Sequence, residues 1–193
     1  MTKEKQEIVV DELPEIKTSM AMGKVFAESG MFPDIKNAAQ GYIKIVAGRE
    51  LGLSPIQSLG AFYFVNGKLG IVSQAMAVLV KKSGKYDYHI VEHNEQSCTI
   101  LFLRKTDDKI SEIGESKFDI KDAAKAGIVN KDVWRNYPKN MLFARALMNG
   151  VRWYCPDAVS AIQYSVEELQ DLENNKKPEV VSLTNGEVKR EQA

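Results

Sequence analysis

The sequence predicts an α+β fold, an antiparallel β-hairpin plus a three-stranded β-meander packed with helices, and three observations predict it. Asn66-Gly67 sits between two short β-prone runs in "AFYFVNGKLGIVS". A type I′ turn needs positive φ at both central residues, and this dipeptide tolerates that best. "KYDYHIVEH", "SCTILFLRK" and "KISEIGESKFDI" are rich in Tyr, Ile, Val, Thr and Phe and are separated by "NEQ" and "TDD", so they read as consecutive strands. Segments of helical spacing lie before and after these runs, which favours an antiparallel sheet over parallel βαβ units.

Taken in order, "LPEIKTSMAMGKVFAES" places Ile16, Met20, Val25 and Phe26 at helical spacing and ends at the breaker "SGMFPD". "NAAQGYIKIVAGRELG" predicts a second helix with Asn37 as its cap and Gly52 as its stop. After the hairpin, a helix runs from Ser73 to Ser83 with Gly84 as a left-handed terminator. Beyond the meander, Asp119 caps a short helix that Gly127 ends, and Pro138 to Arg152 forms the last long helix. The two ends mix charged residues, Asn, Pro and Gly without sustained periodicity. A mobile segment is therefore expected over 1–14, a single domain over 15–171 and a disordered tail over 172–193.

With 193 residues, 44% of them hydrophobic, the chain can build one real core. Lys plus Arg (26) equal Asp plus Glu (26), so a polyanionic partner must be met by local charge separation. Such separation exists. Lys131 to Arg152 holds five bases and one acid, a balance of +4, whereas Asp157 onward holds four bases and eight acids, a balance of −4. No run approaches the ~18 apolar residues of a spanning helix, and the start lacks the apolar stretch of a secretion signal. The expectation is a soluble, cytoplasmic protein with no membrane contact, in which Cys98 and Cys155 are reduced and buried.

Motifs for covalent or metal chemistry are weak. "HIVEH", His89 to His93, matches the H-x-x-E-H pattern of inverted zinc proteases, a zinc hydrolase reading in which His89, Glu92 and His93 would act together. That pattern chelates only on a helix; on the strand its flanks predict, the two imidazoles point the same way ~13 Å apart. No phosphate-cradling G-x-x-x-x-G-K-[ST] loop and no G-x-S-x-G elbow occur, so the chain is not read as an enzyme and no cofactor is expected.

Basic groups are the stronger signal. Helix geometry from Pro138 to Arg152 sets Arg145, Asn149 and Arg152 on one face, with Met141 and Met148 beside them. Two guanidinium forks at a helical repeat, roughly 10 Å, suit phosphate oxygens along an extended backbone. Arg135 and Lys139 extend the row, and Trp134, Tyr137, Trp153 and Tyr154 flank it, either to stack on bases or to seal the helix ends. Lys81, Lys82 and Lys85 form a second group, with Lys68 on the preceding hairpin. The same lysines would also complement a helix macrodipole. The expectation is that both groups converge into one anion-tracking groove. On that basis, alanine at both Arg145 and Arg152 is expected to abolish function and spare the fold.

Two blocks carry a resemblance. "GRELGLSPIQSLGAFYFVNGKLGIVSQAMAVLVKKSGKYDYHIVE" and "FDIKDAAKAGIVNKDVWRNYPKNMLFARALMNGVRWYCPDAV" together resemble the RecT family of phage single-strand annealing proteins. In the second block the family's tryptophan-then-helix pattern falls on Trp134, Met141, Arg145 and Arg152, and the likeness runs from about Asn37 to Leu169. The resemblance implies a protein that binds single-stranded DNA without ATP, assembles into rings or helical filaments, and pairs complementary strands into an annealed duplex in phage homologous recombination. It also implies partners such as a phage exonuclease or a host single-strand-binding protein. Set against the resemblance, the N-terminal helical part looks abridged. A second reading is a protein-binding adaptor of a mobile element's replication machinery, with the flanking aromatics and the acidic end as docking features.

Overall fold

The computed structural model describes residues 14–107, 109–159 and 164–173, and the backbone of 180–184 and 187–191. The mobile segment expected over 1–14 lies outside the described residues, except for Pro14. The fold is α+β, with separate antiparallel sheets of two, three and two strands. The sequence predicts one domain over 15–171, but the chain divides between Phe64 and Val65 into two compact units.

The first unit holds α1 (Pro14–Ser29), α2 (Ala38–Glu50) and α3 (Pro55–Ala61), and leads into β1 (Phe62–Val65). Asn37 caps α2 as expected, its side chain accepting from Gln40 N. The short helix α3 has no counterpart in the sequence reading. Ser54 starts it through a capping box with Gln57, and Pro55 supplies the fixed φ of the first turn. Helix α1 forms where periodicity placed it, but its buried positions are Ser19 and Gly23, while Val25 is exposed. A Cβ on Gly23 would come within 2.5 Å of Ala38 O, so close backbone approach to α2 sets the most buried positions, while Phe26 of the apolar spacing packs beside them. Ile35, Ile45 and Leu59 form the core, with Met22, Phe26, Ala27 and Phe32 packed against it. The unit also buries Lys44 completely, its ammonium 2.6 Å from Asp34 Oδ2 and 3.2 Å from Leu59 O. Burial pulls the Lys44 amine below its ordinary pKa, against the opposing pull of Asp34.

The second unit begins inside the hairpin. Asn66 and Gly67 have φ of 50° and 75°, the positive pair that the turn type demands. Then follow β2 (Lys68–Ile71), α4 (Ser73–Lys82), β3 (Tyr86–His93), β4 (Ser97–Thr106) and β5 (Lys109–Asp119). Strands β3, β4 and β5 form the antiparallel meander in that order. Asp119 caps α5 (Ile120–Lys125) with a reciprocal bond to Asp122, and α6 (Asp132–Asn136) and α7 (Pro138–Tyr154) come next. A short 3-10 turn, Pro156–Ala158, precedes α8 (Val166–Glu173).

Helix α7 lies on the sheet face that carries Ile100 and Phe102, both fully buried. Gly150 makes this approach feasible, since a Cβ there would sit 2.0 Å from the Phe102 ring. Ser116 Oγ donates to Ala146 O at 2.7 Å and ties β5 to the same helix. Helix α8 is also absent from the sequence reading; it packs Leu169 and Val166 against Gly70. Within the expected disordered tail, β6 (Val180–Thr184) and β7 (Glu187–Glu191) pair antiparallel on either side of Asn185-Gly186. That is the same dipeptide signal as in the first hairpin. No helix among the described residues is long and apolar enough to cross a membrane.

Candidate nucleic-acid interface

Strand register assembles a cationic edge that spacing alone does not reveal. Tyr86 pairs with Arg104, and Lys105 N donates to Lys85 O at 2.7 Å, so the end of β4 lies beside the turn after α4. Lys81, Lys85, Arg104 and Lys105 thus gather near two carboxylates, Asp87 and Asp157, and Lys82 is exposed beside Lys81 in the last turn of α4. Lys81 and Lys105 reach Asp87 at 3.3 and 2.7 Å, and Lys85 reaches Asp157 at 3.0 Å. The Lys81 ammonium lies 4.8 Å above the Tyr88 ring, and the Arg104 guanidinium 5.6 Å above Tyr86. Tyr86 donates its hydroxyl to Asp157 Oδ1 at 2.7 Å. Arg104 and Lys105 were not selected from the sequence. Each sits about twenty residues from the lysine group, and only the antiparallel pairing of β3 with β4 brings them there.

These contacts shift the acids downward. The Lys105 bond, aided by Tyr88 N–H and Lys81, holds the Asp87 carboxyl at about 2 against an ordinary 3.8. Bonds from Tyr86 and Lys85 lower Asp157 as well. Because the folded-state pKa of Asp87 is depressed, its stabilisation is complete above the unfolded value near 3.8 and is lost as pH falls toward about 2. Asp87→Asn is therefore expected to flatten the acid limb of thermal stability over that window; an unchanged pH dependence of melting would contradict it.

The arginine face differs from expectation. Arg145 is not displayed to solvent: its side chain is 16% exposed and bonds Glu168 at 3.3 Å and Asp171 at 2.5 Å, both on α8. Arg152 bonds the same Glu168 and also donates to Asn149 Oδ1 at 3.4 Å. Lys131 reaches Asp171 Oδ1 at 3.3 Å. Glu168 is held in place by Ser165, whose N–H donates to it at 2.9 Å and whose hydroxyl accepts from its N–H at 3.1 Å. The arginines of α7 and Lys131 thus dock an acidic helix. Met141 and Met148 are buried and belong to the packed side.

The remaining predicted positions separate. Trp134 is 1% exposed and donates its indole N–H to Asp171 at 3.2 Å, so it is a core residue and not a stacking surface. Tyr137 and Trp153 are exposed at opposite ends of α7, sixteen residues or about 24 Å apart. Arg135 pairs with Asp132 on the surface, and Lys139 is exposed near the same end. Lys68 places its ammonium 5.6 Å over Tyr164, at the entry to α8. One continuous groove through all predicted residues is not formed; the lysine group gains two strand cations, Arg145 turns inward, and Arg152, still partly exposed, is tied to Glu168.

His89 and His93 lie on β3, as the flanks predict, but they do not point the same way. A bulge between Ile90 and Glu92 shifts the register, so His89 faces Leu101 and His93 faces Cys98 on the helix-covered side. His93 Nε2 bonds Lys139 O at 3.0 Å, and its ring lies 5.9 Å from Phe143. The helical geometry of a chelating H-x-x-E-H pair is therefore not present. Cys98 and Cys155 are buried thiols, pushed by burial to about 11 and about 12.

Comparison of the chain with protein-family models, with curated proteins and with solved structures finds no match.

Proposed function

We propose that the chain is a single-stranded-DNA-binding protein that promotes ATP-independent annealing of complementary strands. The observation that carries this reading is the exposed edge formed by Lys81, Lys82, Lys85, Arg104 and Lys105. Lys81 and Lys85 keep 55% and 69% of their side-chain surface in water while paired. A pair as exposed on both sides as Lys85 and Asp157 contributes only ~0–1 kcal/mol, so a phosphate can take the place of Asp157 at little cost, and Lys81 can meet a phosphate with its remaining exposed surface while Asp87 stays in place. The buried partners of Arg145 offer no such exchange. Resemblance to the RecT family supports the same reading independently of these distances.

Annealing needs little else from a protein. Two strands repel, and a surface that neutralises phosphates while leaving base edges accessible lowers that cost, with base pairing as the driving force. A few contacts per subunit bind weakly; a contiguous array of subunits holds a long strand through effective concentration. The proposal therefore includes homo-oligomerisation, a cytosolic setting and delivery of strands by an exonuclease or a single-strand-binding protein.

Affinity for a labelled oligonucleotide, followed by anisotropy, is expected to fall with a log-log salt slope of about −0.7 per contacted phosphate. Five contacts would give about a hundredfold loss between roughly 50 and 200 mM salt. Salt-independent binding would remove the electrostatic basis of the reading. Absence of binding at low salt would favour the adaptor reading instead.

A further inference from the structure

We propose that Trp153 is a base-stacking platform that lets the cationic edge distinguish a single strand from a duplex. The inference rests on the DNA-binding reading and adds to it the part of the nucleotide that phosphate contacts cannot sense.

Of the two tryptophans, Trp134 is consumed by the core, whereas Trp153 is 59% exposed on the last turn of α7. Its position is fixed from below. The indole meets Tyr154 at 6.2 Å with the rings 88° apart, and whichever ring supplies the edge, at least one indole face stays uncovered by Tyr154. Tyr154 is itself immobilised: its ring is 5.7 Å from Phe102, and its hydroxyl donates to Glu115 O at 3.2 Å. Gly114 makes the room, because a Cβ there would lie 2.2 Å from the Tyr154 ring, and its φ of 158° suits glycine. An exposed aromatic ring seated on a locked neighbour loses little freedom when a second flat ring lands on it.

The chain itself ties Trp153 to the charges. Asp157, which holds Lys85 and Tyr86, follows four residues later, so the two backbones are at most about 14 Å apart. Ring contacts connect Trp153 through Tyr154 and Phe102 to Tyr88, under the Lys81 ammonium. In this proposal a strand whose phosphates run along Lys85 and Arg104 lays a base on the indole. Stacking is tolerant of sequence because every base has a π face, and it leaves the pairing edge open to a complement. In a duplex those faces are already stacked on one another, and exposing one means unstacking a step.

The test uses the full chain, a labelled oligo(dT), an abasic oligonucleotide of equal length and a labelled duplex. Indole emission is expected to be quenched by oligo(dT) and not by the abasic strand. Trp153→Ala should weaken oligo(dT) binding about ten- to a hundredfold and leave abasic-strand and duplex affinity unchanged, with Trp153→Phe recovering part of the loss. Equal losses on oligo(dT) and the abasic strand, or no loss with quenching intact, would overturn the stacking role while the DNA-binding reading stands. Failure of the wild-type chain to bind any of the three nucleic acids would overturn both.

Discussion

Arg145→Ala is expected to lower unfolding stability by about 3 kcal/mol, and to change oligonucleotide binding only through loss of folded protein. Breaking a buried ion pair by removing one partner costs ~3–5 kcal/mol, since the other charge stays desolvated. The lower end applies here because neither carboxylate is wholly orphaned. Asp171 keeps Lys131 and the Trp134 indole, and Glu168 keeps Arg152 and Ser165 N–H. Arg145→Lys should recover little, as a single ammonium cannot span Glu168 and Asp171 as the fork does. Urea titration by circular dichroism, paired with anisotropy well below the unfolding midpoint, separates the two effects. A variant with wild-type stability and abolished DNA binding would restore the sequence expectation of an open arginine face.

That reversal shows which information the sequence carried. Local chemistry was legible wherever the answer depended on a few neighbouring residues: the Asn66-Gly67 turn, the Asn37 and Asp119 caps, and the terminators Gly84 and Gly127, whose φ values are 69° and 71°. The helix α3 was missed although Ser54 and Gln57 spell a capping box, because the segment is only seven residues long and shows too little periodicity. Periodicity sorted most of α7 into a packed and a polar side, although Met141 and Met148, set beside the arginines by spacing, are buried; it could not say what covers the polar side. The answer was written in the charges. The +4 block of 131–152 reads as a DNA face and the acidic end from Asp157 onward as a docking feature, but Glu168 and Asp171, three apart on one helix, fit Arg145, Arg152 and Lys131. Adjacent blocks of opposite sign in a neutral chain are candidates for each other before they are candidates for a ligand. Arg104 was invisible for another reason, since its neighbours come from strand register and not from spacing.

The triple variant Lys82→Ala, Lys85→Ala, Arg104→Ala is expected to reduce affinity for single strands about 10²–10³-fold at ~50 mM salt and to leave melting within ordinary surface-mutant limits. Each lost phosphate contact removes about 0.7 from the log-log salt slope, and at ~50 mM salt that corresponds to roughly 0.9 decade of affinity. Three contacts make the slope shallower by about 2. These positions are chosen because they spare the Lys81 and Lys105 bonds to Asp87, the half-buried acid that ties β3 to β4 and α4. Asp157 loses Lys85 but keeps the Tyr86 hydroxyl and remains about half exposed, so the turn after α7 should hold. Annealing should fail in step with binding, because strands that are not neutralised gain nothing from the protein. The comparison with Arg145→Ala is decisive: one variant should lose stability and keep its salt slope per folded molecule, the other should keep stability and lose slope. If the triple variant binds and anneals like wild type over the whole salt range, the phosphate path does not cross this edge.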